Sequence, residues 1–266
     1  MISYFQIQRL ASQKEVSEDI IEKDYFMELI LYYLSDDNFF NERVIFRGGT
    51  ALKKIYFSDY RYSEDLDFLI EDKEKLSDYS QRFDKILTKI SSDFPFKPTK
   101  TSRLNNDRLQ IFISYDVVSD IRVIKELKLD ILKDVFIPSF RKKKIIFTYQ
   151  DFKEKDCKLN TYILESVAAD KISRILDVDK EARDIYDLWY LLNFNLDISK
   201  IKEVFRKRFG YELHSTNLLN QINSEAYKQS WKIRLNRQVK GLPPYELVID
   251  HLEKLIKNKL FLHQSI

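Results

Sequence analysis

Two aspartates one residue apart, Asp65 and Asp67 in the run SEDLDF, are the residues of this chain best placed to do chemistry. Leu66, Phe68, Leu69 and Ile70 around them read as a strand. Alternate side chains of a strand share a face, so both carboxylates emerge together. Like charges that close repel and raise each other's pKa unless a cation lies between them. A hard divalent ion answers that need, and magnesium takes carboxylate oxygens while completing its shell with water and substrate phosphate. A third acid, Asp130 in ELKLDIL, also interrupts a β-type apolar run, and a neighbouring strand would bring it beside the pair. Three carboxylates can hold two metals for in-line phosphoryl transfer, one on the nucleotide's phosphates and one activating an acceptor hydroxyl near Asp130.

Upstream, FRGGTALKKIYF sets Gly48 and Gly49, two of only four glycines, ahead of a helical run. Small residues at a helix N-terminus expose backbone N–H groups that cradle phosphate, aided by the helix dipole. Thr50 and Ser63 add hydroxyl donors, and Arg47 and Arg61 flank the site with charge that suits phosphate or, alternatively, Glu64. Taken singly, a glycine pair before a helix is a tight turn and D-x-D arises by chance. Their order, with a third acid in a later strand, is what points to a site.

Composition narrows the chemistry further. Cys157 is the sole cysteine, which excludes an internal disulfide and a cysteine-rich zinc site and suits a reducing compartment. Three scattered histidines, His214, His251 and His263, leave little for histidine-based catalysis or metal binding. Carboxylates must therefore carry it. The start MISYFQIQRLASQKEVSEDIIEKDYF lacks a signal-peptide pattern, and nowhere do about 18 apolar residues run together, so a cytoplasmic chain without membrane association is expected. The net charge of +3 is small, but RKKK (141–144), RKR (206–208) and WKIRLNRQVK (231–240) gather basic charge. With Tyr211, Trp231 and Tyr245 nearby they suit a nucleic acid, or else they are solvated helix ends and loops.

The elements that must position these groups follow from periodicity. EDIIEKDYFMELILYYL predicts an amphipathic helix from Ser17, VIFR (44–47) a short strand, TALKKIYF a helix and DLDFLI (65–70) a second strand. A helix over 74–92, a proline-containing loop FPFKPTK, and strands in LQIFISYDVV (109–118) and KELKLDILKDVF (125–136) follow, with IIFTY (145–149) as an edge strand. From about Thr161 the patterns are helical to the end. The expected architecture is α/β (α+β), a mixed-sheet domain over 1–157 with an N-terminal helix, then a mostly α-helical lobe over 158–266 packed with it as one bilobed body.

GGT followed by SEDLDF resembles the phosphate turn and metal-binding acids of the DNA-polymerase-β-like nucleotidyltransferase superfamily. The fuller match is to the AbiEii/AbiGii-type (MenT-like) toxins of abortive-infection and toxin–antitoxin systems, in four blocks: IEKDYF (21–26), residues 46–68, KLDI (128–131), and LESVAADKISRIL with ARDIYDL (164–188). Fifteen residues separate Gly49 from Asp65, longer than the superfamily's usual spacing though ordinary for this family. The resemblance implies a phosphate turn at Gly48 and Gly49, a serine before the acids at Ser63, a metal pair at Asp65 and Asp67, and a third carboxylate at Asp130. It further implies a phosphate-contacting lysine at Lys171 and the last motif's acids at Asp184 and Asp187.

Independently, helical spacing sets Lys171 one turn from Val167 and from Ile175, beside the buried stripe, where its ammonium needs an anion or must snorkel to water. Asp184 and Asp187 could pair with Arg183, Lys180 or Arg174 instead of serving catalysis. The reading is a Mg2+-dependent nucleotidyltransferase, with Mn2+ an acceptable substitute. It would move a nucleotidyl group from a nucleoside triphosphate to a hydroxyl, on this resemblance an RNA (tRNA 3′ end), as a toxin restrained by a cognate antitoxin. Two other classes compete. A metal-dependent nuclease would use the E-x-K spacing of Glu126 and Lys128 with Asp65 or Asp116 as distal acid, and a non-catalytic module would bind RNA or protein on the same fold.

Overall fold

The computed structural model describes residues 1–177 and 180–261, so His263 lies outside it. The described chain divides into two compact units: Met1–Ile137 with Arg141–Thr161, and Pro138–Phe140 with the chain from Tyr162 onward.

The first unit opens with α1 (Tyr4–Lys14), begun by a reciprocal cap in which Ser3 and Gln6 each accept the other's backbone N–H. Next come α2 (Glu18–Asp36), with Glu18 and Asp19 in its first turn, and α3 (Asn38–Arg43), capped by the Asp37 carboxylate. Strand β1 (Ile45–Arg47) runs directly into α4 (Gly48–Ala51), which widens into a π-helical turn over Leu52–Tyr56. Strand β2 (Asp65–Glu71), α5 (Leu76–Asp93), β3 (Thr99–Leu104), β4 (Arg108–Ser114), β5 (Glu126–Asp134), β6 (Phe140–Lys144) and β7 (Lys158–Tyr162) follow. The strands form one mixed sheet in the order β3-β4-β5-β2-β1-β7-β6. β2 is parallel to β5 and β1 to β7, while β1–β2, β3–β4 and β4–β5 are antiparallel.

Alternation explains which face holds the core. Leu66 and Phe68, Leu129 and Ile131, and Leu109 and Ile111 occupy one set of alternate positions on three adjacent strands, and all are buried. Phe46 stacks on its cross-strand partner Phe68 with ring centroids 5.2 Å apart. The opposite set carries the polar groups described below.

A second fixed point of this unit is ionic. Lys54 is buried with its ammonium 2.8 Å from Asp24 and 2.7 Å from Glu28, so the π-helical turn is tied to α2. Glu28 also accepts the backbone N–H groups of Thr148 and Tyr149. That network overturns the strand expected at IIFTY. Ile146 donates instead to the carbonyl of Lys54 and Ile145 to that of Cys157, so the sheet strand is the preceding FRKKK. Strand β3, the edge partner of β4, begins within the expected loop FPFKPTK and runs through residues 101–104, which sequence assigned to no element, and β4 stops at Ser114, short of the expected 118.

The second unit is helical: α6 (Leu164–Leu176), α7 (Ala182–Leu192), α8 (Ile198–Phe209), α9 (Ser215–Ile222), α10 (Glu225–Leu235) and α11 (Tyr245–Leu255), the last extended by a π turn over Ile256–Leu260. Both α7 and α8 pack on α6, and α10 and α11 pack on α7. No described helix is long and apolar enough to cross a membrane.

Candidate active site

Sheet register assembles the site. Asp67 is the Cα partner of Asp130 on β5 and of Arg47 on β1, and Asp130 is in turn the partner of Gln110 on β4. Four polar side chains therefore form one row across the face opposite the core. In the next row Asp65 is opposite Lys128. Asp65 and Asp67 are both half-buried, on one side of one strand, as alternation predicts.

The glycine pair is required by its neighbours. Gly48 has φ +80°, and a Cβ there would fall 2.5 Å from Oδ2 of Asp67. A Cβ on Gly49 would fall 2.6 Å from the Arg61 guanidinium and 3.3 Å from Oγ of Ser63. The turn, one metal-pair candidate, one arginine and one serine thus converge on each other. Arg61 is buried, with one nitrogen donating to the Tyr62 carbonyl at 3.1 Å. Thr50 is buried too, and its hydroxyl donates to the backbone carbonyl of Asp65 at 2.5 Å, fixing the first helical turn to the start of β2.

Asp130 arrives already clasped. Arg108 Nε donates to Oδ1 at 2.7 Å while the guanidinium's terminal nitrogen grips Oδ2, a bidentate pair. Lys128 Nζ lies 3.0 Å and Gln110 Nε2 3.4 Å from the same Oδ2. Burial on its own would raise this carboxyl's pKa; the hydrogen bonds from Arg108 and Lys128 override it and hold the group below the usual carboxylate range. Arg108 and Gln110 carry no recognisable motif, and sequence reading passes over both. The signal was R-x-Q alternation in RLQIFIS, which becomes meaningful only once β4 is registered on β5.

A divalent ion fits this donor set as a half-site. Among the described residues no three His, Cys, Asp or Glu side chains group as a complete cage. Asp65 and Asp67 would supply two carboxylates and the substrate's phosphates the rest, the usual manner of holding magnesium.

The remaining sequence candidates meet in the second unit. Lys171 on α6 is buried, with Nζ 2.7 Å from Asp184 and 2.7 Å from Asp187 on α7, and Arg174 Nε lies 2.9 Å from the other oxygen of Asp184. Of the two expectations for this lysine, an anion partner or a snorkelling ammonium, the structure shows the anion, on the next helix. Lys180 donates to backbone carbonyls and Gln221. Arg208, with RKR otherwise at the helix surface, is buried on Asp170 at 2.6 Å and the Tyr162 hydroxyl at 3.0 Å.

One expectation is corrected. Trp231 is 1% exposed and Tyr245 holds the Ile222 carbonyl, so the pair, 5.5 Å apart, forms interior packing in place of a base-stacking platform. Tyr211 is exposed but packs edge-on to Phe205. The E-x-K lysine, Lys128, lies 3.0 Å from Asp130 and opposite Asp65 in register, while Asp116 is engaged by Lys125 at 2.6 Å.

Comparison with known proteins agrees with this geometry. The family model described as nucleotidyl transferase AbiEii toxin, type IV toxin–antitoxin system, matches residues 29–257. The block IEKDYF lies just ahead of that span. Among solved structures the fold is similar to MenT4, a nucleotidyltransferase toxin from Mycobacterium tuberculosis H37Rv, with TM-score 0.70 and 16% identity over 100% of this chain and 91% of that one. No curated protein matches the chain in sequence.

Proposed function

The chain belongs to the AbiEii nucleotidyl transferase toxin family, and from that membership we propose a cytoplasmic toxin that transfers a nucleotidyl group from a nucleoside triphosphate to an RNA hydroxyl, the 3′ end of tRNA. Its cofactor in this reading is Mg2+, replaceable by Mn2+, and a cognate antitoxin protein restrains it. The acceptor oxygen forms a bond to the α-phosphorus, the α–β bridging bond breaks, and pyrophosphate leaves with the electron pair while the hydroxyl proton passes to solvent.

The observation that carries the reading is the contact between Gly48 and Asp67: a glycine-only backbone turn packed against one of two carboxylates that share a strand face. The N–H groups of Gly48 and Gly49 bind phosphate, with Arg61 and Ser63 beside them and Arg47 in the same row as Asp67. Thr50 keeps that turn in register with Asp65. Asp65 and Asp67 hold the ion, and Asp130 is the third acid. A bound divalent ion supplies charge neutralisation at the phosphates and polarises the acceptor hydroxyl. By the family resemblance Lys171 is the phosphate-contacting lysine, and within the second unit its ammonium is held by Asp184 and Asp187. Such chemistry is mostly positioning and electrostatics.

The test is transfer of label from each α-labelled nucleoside triphosphate to total tRNA with Mg2+, comparing the wild type with an Asp65→Ala/Asp67→Ala variant. Label in RNA from the wild type alone is the expected result. Equal label from a folded double variant refutes the site, and label on protein or on a small hydroxyl compound reassigns the acceptor.

A further inference from the structure

Asp130 is 5% exposed and both of its oxygens are occupied by donors of the chain itself. Oδ2 takes three of these donors and Oδ1 one, so a divalent ion drawn to this carboxylate competes for its charge with the Arg108 and Lys128 cations. The donors are unequal in mobility. Lys128 and Gln110 flank Asp130 on its own strand and on its register partner. Arg108 is the first residue of β4, reaches Asp130 on the diagonal (its own register partner is Leu132), and its side chain is 44% exposed. The residue with the strongest grip is therefore also the one with solvent to move into.

A place for it lies close by. Adjacent strands are about 4.8 Å apart, so β4 and β2 are separated by about 10 Å, with β5 between them. The Gly48 turn abuts Asp67, which is the register partner of Asp130. A triphosphate extending from that turn across Asp67 towards Asp130 would come within reach of a long side chain from the start of β4, and a guanidinium matches phosphate as well as carboxylate in bidentate geometry.

We propose that Arg108 is an exchangeable counter-ion: it neutralises Asp130 in the nucleotide-free protein and moves onto the triphosphate when Asp130 turns to a divalent ion. This rests on the reading that Asp65 and Asp67 hold the ion. Arg108 then contacts substrate, and it couples the two ligands. Each is bound more tightly in the presence of the other, because either one favours the released arrangement, and the coupling is reciprocal.

Mn2+ titration followed by electron paramagnetic resonance on the full chain, with and without a non-hydrolysable nucleoside triphosphate, tests this without reference to turnover. In the wild type, nucleotide should tighten Mn2+ binding. Arg108→Ala should bind Mn2+ alone about tenfold more tightly, should lose most of the enhancement by nucleotide, and should bind nucleotide more weakly. Adding Asp130→Asn to Arg108→Ala should cancel the gain in Mn2+ affinity. Arg108→Gln repeats the test should the alanine variant not fold, and circular dichroism verifies the fold of each. Unchanged Mn2+ affinity in folded Arg108→Ala or Arg108→Gln overturns the proposal and makes Arg108–Asp130 a permanent structural pair. Asp65→Asn/Asp67→Asn reports separately: undiminished Mn2+ binding in that variant refutes the metal-pair reading, whatever Arg108 does.

Discussion

Asp67 and Asp130 are Cα partners on adjacent parallel strands, 63 residues apart in the chain, so two carboxylates stand side by side on one face of the sheet. Everything proposed for the site depends on that register. A slip of one residue would send either acid into the core face among Leu66, Phe68, Leu129 and Ile131.

Gly48 and Gly210 offer a matched comparison. Both have φ near +80°, but a Cβ on Gly48 would press on Asp67 whereas one on Gly210 meets nothing within 4 Å. Each Ala substitution costs about 1–2 kcal/mol from the left-handed backbone alone. Gly48→Ala should in addition weaken nucleotide binding at least tenfold, while Gly210→Ala lowers the melting temperature without altering that affinity. Thermal melts paired with nucleotide titration check both.

Lys53 makes stability depend on alkaline pH. The residue is 7% exposed, its ammonium is bonded to the Tyr60 carbonyl at 3.0 Å and set over the Tyr62 ring, and burial pushes its pKa down to about 8 from 10.5. Between those values the unfolded chain binds more protons than the folded one, so this group's contribution grows as pH rises through the window and is lost as pH falls through 8. The size is on the order of 3 kcal/mol. Denaturant unfolding of wild type and Lys53→Met from pH 7 to 10.5 should give a difference that changes in this direction; a flat difference contradicts it.

Lys171 neutralises two buried carboxylates at once. Lys171→Met leaves Asp184 with Arg174 and deprives Asp187 of its ammonium, and breaking a buried pair in this way costs about 3–5 kcal/mol. The second unit's unfolding midpoint should fall accordingly. Removing the charge to be neutralised as well, in Lys171→Met/Asp187→Leu, should recover part of the loss, and equilibrium denaturation of both variants decides it.

Local chemistry was legible in the sequence. Alternation placed Asp65 and Asp67 on one face, glycine scarcity marked the turn at Gly48 and Gly49, helical spacing set Lys171 beside the buried stripe, and four ordered blocks identified the family. Periodicity reports the face a residue occupies, not the strand it lies against. Tertiary pairing alone therefore put Asp130 next to Asp67, closed Arg108 on Asp130 and left the pair Asp184 and Asp187 to Lys171. The same limit explains the errors. IIFTY has a strand's composition, but the Glu28 carboxylate and the Lys54 carbonyl take its backbone N–H groups, and Trp231 has a base-stacker's chemistry but no exposed surface. Hydrogen-bond partners and burial are properties of segments brought together from distant parts of the chain, and no local pattern encodes them.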